Sequence, residues 1–118
     1  MELSVIRRVQ EKGYMRVYIS GPITKDKNFY NKFIDAEKRL KEEGYEVVNP
    51  AKVGVILPKS FTHGDFMDID YVLIQKCDAI YMLRGYISST GAKNELAYAR
   101  EHGLKVVFQG RKNERIEV

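Results

Sequence analysis

The sequence predicts an α/β fold, a three-layer sandwich of the flavodoxin-like or Rossmann-like type around a mainly parallel sheet. Short runs rich in β-branched and aromatic residues alternate with longer segments whose apolar residues recur at helical spacing. Glycine or proline interrupts the chain between several of these segments. Because crossovers between parallel strands are right-handed, the alternation favours a sheet of at least four strands in the order 2-1-3-4.

The first half of the chain supplies two strands and one helix. Residues 16–20, RVYIS, are a β-rich run that stops at a glycine-proline pair. Residues 28–43 carry apolar residues at helical spacing and are followed by Gly44, a suitable C-terminal cap. The run YEVVN, residues 45–49, predicts the second strand. Residues 1–13 are predicted to be an N-terminal extension, either a short helix or an arm.

The second half predicts two more helix and strand pairs after a long connection. Residues 50–64 form that connection, in which the apolar piece VGVIL is expected to be a small helix or a flap. Helical periodicity returns over residues 65–77 and leads into the strand DAIYML, residues 78–83. The segment SSTGAKNELAYAR, residues 88–100, predicts a last helix before the strand KVVFQ, residues 105–109.

Length and composition restrict the class of protein. With 118 residues we expect a single domain over 1–118 and, because so small a domain buries only about two-thirds of its unfolded surface, a homodimer or higher homo-oligomer. The net charge of +4 comes from interspersed acids and bases, so nucleic-acid binding is unlikely and a small anionic ligand fits. The absence of ~18 consecutive apolar residues and of a signal-peptide pattern predicts a cytoplasmic protein that does not enter the membrane.

Cysteine and histidine usage predicts neither a metal nor a cofactor. The single Cys77 excludes an internal disulfide framework and a multi-cysteine zinc cluster, and we expect it to be buried. His63 and His102 lack the spacing of a metal site or catalytic triad. They are predicted to be a loop contact and a cation at a helix end, respectively.

Glu95 is an acid on an apolar helix stripe. Ala92, Leu96 and Ala99 define that stripe, and Glu95 occupies its i+3 position. A capping box would need serine or threonine where Ala92 stands, and no basic residue lies three or four positions away to form an intrahelical ion pair. Two explanations remain open: a partner elsewhere in the fold, or a carboxylate that faces a ligand crevice.

Asp70 is a second acid of this kind. It lies between Phe66 and Leu73 on an apolar stripe, whereas Asp68 falls on the polar side and Asp78 is predicted to be a polar residue that introduces a strand. Two carboxylates that reach one crevice from adjacent helices can perform glycosyl transfer, one acting at the anomeric carbon and the other on the leaving group's proton.

Three segments carry a resemblance to a known superfamily. YISGP at 18–22, DYVLIQKCD at 70–78 and STGAKNELAYA at 89–99 resemble the nucleoside 2-deoxyribosyltransferase-like superfamily in order and spacing, over roughly residues 15–108. The pattern is most similar to the 2′-deoxynucleoside 5′-phosphate N-hydrolases and their small, often phage-borne relatives. The resemblance implies a nucleotide or nucleoside substrate and an N-glycosidase or deoxyribosyltransferase activity.

The resemblance also implies roles for individual residues. Glu95 matches the nucleophile that attacks C1′ of the deoxyribose and forms a glycosyl-enzyme intermediate. Asp70 matches the acid associated with the departing base, and Tyr18 matches the aromatic residue that orders the pocket. The alternative reading is a nucleotide-binding or regulatory module that keeps the pocket without turnover.

The helix start at Ser89 favours a 5′-monophosphate. In the families that the sequence resembles, the residue six positions before the nucleophile is typically aspartate in the transferases and serine in the monophosphate hydrolases, and here it is Ser89. A Ser-Ser-Thr-Gly run that opens a helix also suits an anion, because it offers hydroxyls and backbone N–H groups. The hydrolases' arginine in the first loop is replaced by Thr24, followed by Lys25, which supplies only a point charge. Ligands of such folds bind beyond the carboxyl ends of the strands. The predicted substrate-binding residues are therefore Ser20, Gly21, Pro22, Thr24, Lys25, Asn49, Ser89 and Gly91.

Overall fold

The computed structural model describes residues 3–111 and Glu114. In that part of the chain, helices and strands alternate after an N-terminal helix. The elements are α1 (Leu3–Lys12), β1 (Arg16–Ser20), α2 (Phe29–Glu42), β2 (Glu46–Val48), α3 (Pro50–Ile56), α4 (His63–Gln75), β3 (Ala79–Met82), a 3₁₀ turn (Tyr86–Ser88), α5 (Thr90–Glu101) and β4 (Lys105–Phe108).

The four strands form one parallel sheet in the order β2-β1-β3-β4, as predicted. β1 is a central strand, with Tyr18 paired to Val48 of β2 on one side and to Ile80 of β3 on the other. The chain runs from β1 to β2 at one edge of the sheet. It then crosses back over β1 and adds β3 on the opposite side of that strand. The strand order therefore reverses at the carboxyl ends of β1 and β3, where such folds form a crevice.

Helices cover both faces of the sheet, which confirms the three-layer α/β sandwich. Because side chains alternate along a strand, Val17 and Ile19 of β1 face α1 and α2, whereas Tyr18 faces α4 and α5. The first layer buries apolar residues of α1 and α2 against the sheet, and the second buries those of α4 and α5. Cys77 lies in the second layer and is buried, as predicted.

The long connection predicted over residues 50–64 contains a helix. Asn49 caps α3 by accepting a hydrogen bond from the backbone N–H of Ala51, and Pro50 occupies the first turn, where its missing N–H costs nothing. α4 begins at His63, before the predicted start at residue 65, because Thr62 and Asp65 form a capping box. The connection is thereby reduced to a short loop.

The N-terminal extension is a helix that packs on the core. Val5 and Val9 of α1 are buried, and Lys12 at its end forms an ion pair with Asp78. Asp78 is fully buried and also accepts the backbone N–H of Arg16 at 2.8 Å, so it joins α1 to the sheet rather than merely introducing β3. Residues 1 and 2 of the predicted extension lie outside the described residues. Among the helices described, none has the length and apolar character that crossing a membrane requires.

Candidate active site

A cavity of about 760 Å³ opens at the carboxyl ends of β1 and β3. Its walls come from the loop after β1, from α3 and α4, and from the start of α5. One part of the wall is apolar and includes Val53 of α3 with Phe66 and Met67 of α4. The other part holds most of the residues predicted from the sequence: Gly21, Pro22, Thr24, Lys25, Asp70, Ser89, Gly91 and Glu95.

Glu95 lies in the second turn of α5 with 5% of its surface exposed. The Tyr18 hydroxyl donates to its Oε2 at 2.7 Å, and the Ser20 hydroxyl donates to its Oε1 at 2.6 Å. Tyr18 and Ser20 stand two residues apart on β1, so both side chains reach the same face of the sheet. The carboxylate on the apolar stripe therefore has partners elsewhere in the fold and borders the cavity, so both explanations left open by the sequence apply together.

Asp70 of α4 stands next to Glu95 and is half-buried. Its carboxyl group is close enough to Glu95 and to Tyr18 for both to affect its pKa. Burial raises the pKa of Asp70, and this effect exceeds the opposing effects of Glu95, Tyr18 and His63.

The environment of Glu95 favours its protonated form. Burial and then the charge of Asp70 raise the pKa of Glu95 to about 8, although the hydroxyls of Ser20 and Tyr18 act in the opposite direction. Two carboxyl groups this close cannot both ionise readily, so near neutral pH the pair holds one proton. Burial together with the charges of Glu95 and Asp70 raises the pKa of Tyr18 well above its ordinary value, which keeps its hydroxyl able to donate.

The start of α5 presents a hydroxyl and the positive end of a helix to the cavity. Ser89 is the N-cap residue and its Oγ accepts the backbone N–H of Ala92 at 3.1 Å. That bond uses an oxygen lone pair, so the hydroxyl proton remains able to be donated to a ligand. Thr24 and Lys25 are exposed in the loop after β1 and line the same cavity.

Gly21 allows the loop after β1 to pass close to the end of β3. A Cβ atom at this position would lie 2.8 Å from Cβ of Leu83, a distance that side chains do not tolerate. The glycine that the sequence marked as a strand breaker therefore also lets the first loop reach the cavity.

Three of the predicted site residues do not line the cavity. Tyr18 and Ser20 are fully buried and reach it only through their hydrogen bonds to Glu95. The third is Asn49. Its Oδ1 caps α3 through Ala51, and its Nδ2 donates to Oε1 of Glu37 at 2.9 Å. The end of β2 therefore contributes to the site through α3, which follows Asn49 directly.

His63 lines the cavity, although the sequence predicted only a loop contact. It is the first residue of α4, close enough to the start of α5 that its Cε1 lies 3.7 Å from where a Cβ on Gly91 would stand. The sequence did contain evidence for a helix start at His63, because Thr62 and Asp65 have the spacing of a capping box. His102, by contrast, is the C-cap of α5, at the other end of that helix. No group of acids, histidines and cysteine able to hold a metal occurs among the residues described.

Comparisons with known proteins agree with this fold. A protein-family model described as a domain of unknown function (DUF4406) matches residues 15–108. Among solved structures, the chain is similar to a 2-deoxyribosyltransferase from Bacillus psychrosaccharolyticus, with a TM-score of 0.67 and 19% identity over 86% of this chain and 77% of that one. It is also similar to a CMP N-glycosidase from Clostridium botulinum, with a TM-score of 0.55 and 26% identity over 79% of this chain and 66% of that one.

These two likenesses confirm, at the level of fold, the resemblance to the nucleoside 2-deoxyribosyltransferase-like superfamily that the sequence predicts. The aligned part of this chain spans just under two-thirds of the length of the glycosidase. No curated protein matches the sequence.

Proposed function

The chain belongs to the family described as a domain of unknown function (DUF4406), and we propose that it cleaves or transfers the N-glycosidic bond of a 2′-deoxynucleoside 5′-monophosphate. The observation that carries this proposal is the pair of buried Glu95 and half-buried Asp70 at the edge of the cavity, with two hydroxyls on the Glu95 carboxylate. A carboxylate held in this way is a nucleophile for an anomeric carbon, and a neighbouring carboxylic acid is a proton donor for the leaving base.

The single proton of the pair suits the two roles. Since the surroundings favour the proton on Glu95, the reactive form is reached when that proton moves to Asp70, and Glu95 is then a carboxylate that accepts the hydroxyls of Tyr18 and Ser20. An oxygen of Glu95 attacks C1′, the C1′–N bond breaks, and its electron pair leaves with the base, which takes the proton from Asp70. The product is free base and a deoxyribosyl ester of Glu95.

The ester is resolved by a second attack at C1′. Asp70, now ionised, accepts a proton from water as the water oxygen bonds to C1′ and the ester bond to Glu95 breaks. Deoxyribose 5-phosphate is released and the pair recovers its one proton. A second base in place of water would regenerate a nucleotide, which is the transferase version of the same chemistry.

The polar end of the cavity supports a 5′-phosphate. Ser89 offers a hydroxyl at the positive end of α5, and Lys25 offers a cation from the first loop. An aspartate in place of Ser89 would repel a phosphate there. The two solved structures are named for a deoxyribosyltransferase and for an N-glycosidase of a nucleotide, which supports the same class of reaction for this chain.

The experiment that tests the proposal is release of free base from a panel of deoxynucleosides and their monophosphates, measured by chromatography. We expect release from at least one monophosphate and none from the Glu95→Gln variant, which keeps the shape of the side chain but cannot form the ester. The variant Asn94→Asp is a suitable control because Asn94 is exposed beside Glu95 on α5. Tight nucleotide binding by the wild type with no release would support the alternative, a binding or regulatory module.

A further inference from the structure

Glu37 is a buried carboxylate outside the cavity, on the inner side of α2. It is 6% exposed. Its Oε1 accepts the Asn49 amide at 2.9 Å, and its Oε2 accepts Lys41 Nζ at 2.7 Å and Lys52 Nζ at 2.9 Å. Burial acts to raise the pKa of Glu37, but the bonds from Lys41, Lys52 and Asn49 outweigh it and lower this pKa to about 2. Glu37 is therefore ionised throughout the neutral range.

The partners of Glu37 connect α2 to α3. Lys41 belongs to α2 itself, at i+4 from Glu37. Lys52 belongs to α3, and Asn49 is the residue that caps α3. One carboxylate thus holds the start of α3 through two bonds, one to the cap and one to the first turn.

α3 needs such a connection because it is short and forms a wall of the cavity. It has seven residues, a length at which a helix is not stable by itself. Val53, Gly54 and Val55 of this helix line the cavity, yet Val55 and Ile56 are 66% and 79% exposed, so little burial holds its second half in place.

We propose that Glu37 is a positioning residue, which holds α3 through Asn49 and Lys52 as the apolar wall against which the base of the substrate packs. This inference rests on the proposed function, and it gives the base a place at the α3 side of the cavity. A wall that packs equally on the bound substrate and on the transition state affects KM more than kcat.

The two lysines provide a matched pair of variants. Lys41 and Lys52 contact the same oxygen of Glu37 and have similarly exposed side chains, 57% and 51%. Lys41→Met and Lys52→Met each remove one cation from Glu37, but only the second breaks a connection to α3. Lys52→Arg restores the charge, and Asn49→Ser keeps a capping hydroxyl while it loses the bond to Glu37.

The test compares steady-state kinetics on the deoxynucleotide that the wild type cleaves with amide hydrogen exchange of residues 51–57. For Lys52→Met and Asn49→Ser we expect KM to rise roughly five- to fiftyfold with kcat within about threefold, and faster exchange in α3. Lys41→Met and Lys52→Arg are expected to stay within about twofold of the wild type in KM, with exchange in α3 unchanged.

Equal KM values for Lys52→Met and Lys41→Met in an active protein would overturn the inference, and so would faster exchange without a change in KM. Failure of the proposed function gives a different result, because the wild type and Lys41→Met would then also release no base.

Discussion

Replacing Glu95 by glutamine should make the protein more stable at alkaline pH while it removes the proposed activity. The folded protein keeps a proton on Glu95 up to about pH 8, whereas in the unfolded chain this side chain loses it near 4.5. Between these values the folded state binds more protons than the unfolded state, so the contribution of Glu95 to stability falls as pH rises. Glutamine does not titrate and lacks this loss.

The size of the effect follows from the buried position of Glu95. Each pH unit across the window from 4.5 to about 8 costs about 1.4 kcal/mol, so the whole loss is on the order of 5 kcal/mol by pH 9. Against this, the glutamine amide group must face one of the hydroxyls of Tyr18 and Ser20, which costs about 1 kcal/mol at every pH. We therefore expect the variant to be slightly less stable than the wild type at pH 5 and more stable by a few kcal/mol at pH 9.

The assay is urea unfolding of the wild type and of Glu95→Gln at one-unit steps from pH 5 to pH 9. The difference between their free energies of unfolding reports the titration of Glu95 and its partner Asp70, because the contributions of distant titrating groups cancel. Glu101→Gln, which changes an exposed acid on the same helix, serves as the control. Curves for wild type and Glu95→Gln that stay parallel over the whole range would refute the raised pKa and the shared proton.

Three further predictions concern activity. Asp70→Asn should slow release of base by roughly a hundredfold or more, with a smaller loss on a deoxyribosyl substrate whose leaving group needs no proton; equal losses on both would point to positioning instead. The value of kcat/KM should fall as pH rises above about 8, because the pair with Glu95 then has no proton to give; a flat profile from pH 7 to 10 would contradict this. The wild type should prefer a monophosphate over its nucleoside on the order of ten- to a few hundredfold in kcat/KM, a ratio that Ser89→Ala reduces and Ser89→Asp reverses; equal use of both substrates by the wild type would remove the phosphate assignment.

The order of the strands and the position of the acid pair could be predicted because both follow from periodicity. Helical spacing placed Glu95 and Asp70 on inner faces, and alternation of strands with helices left few topologies. α3 was harder to predict, since seven residues give too few turns for a periodic signal.

The role of Glu37 could not be read from the sequence for a different reason. With Lys41 four residues later, it has the spacing of an exposed ion pair on a helix surface. Only the packing of α3 over α2 shows that this acid is buried and that Asn49 turns toward it rather than toward the cavity.

Because β1 supplies both hydroxyls that bind Glu95, changes within β1 and changes in the rest of the cavity wall should have different effects. Tyr18 and Ser20 come from a central strand whose alternate residues, Val17 and Ile19, are core, so an insertion or deletion within β1 would disturb folding and the carboxylate together. The rest of the cavity wall comes from a loop, a short helix and helix starts. A library aimed at new substrates can therefore randomise the loop and the exposed residues of α3 while β1, Asp70 and Glu95 stay unchanged. Variants selected from it should keep the Glu95 carboxylate on its two hydroxyls.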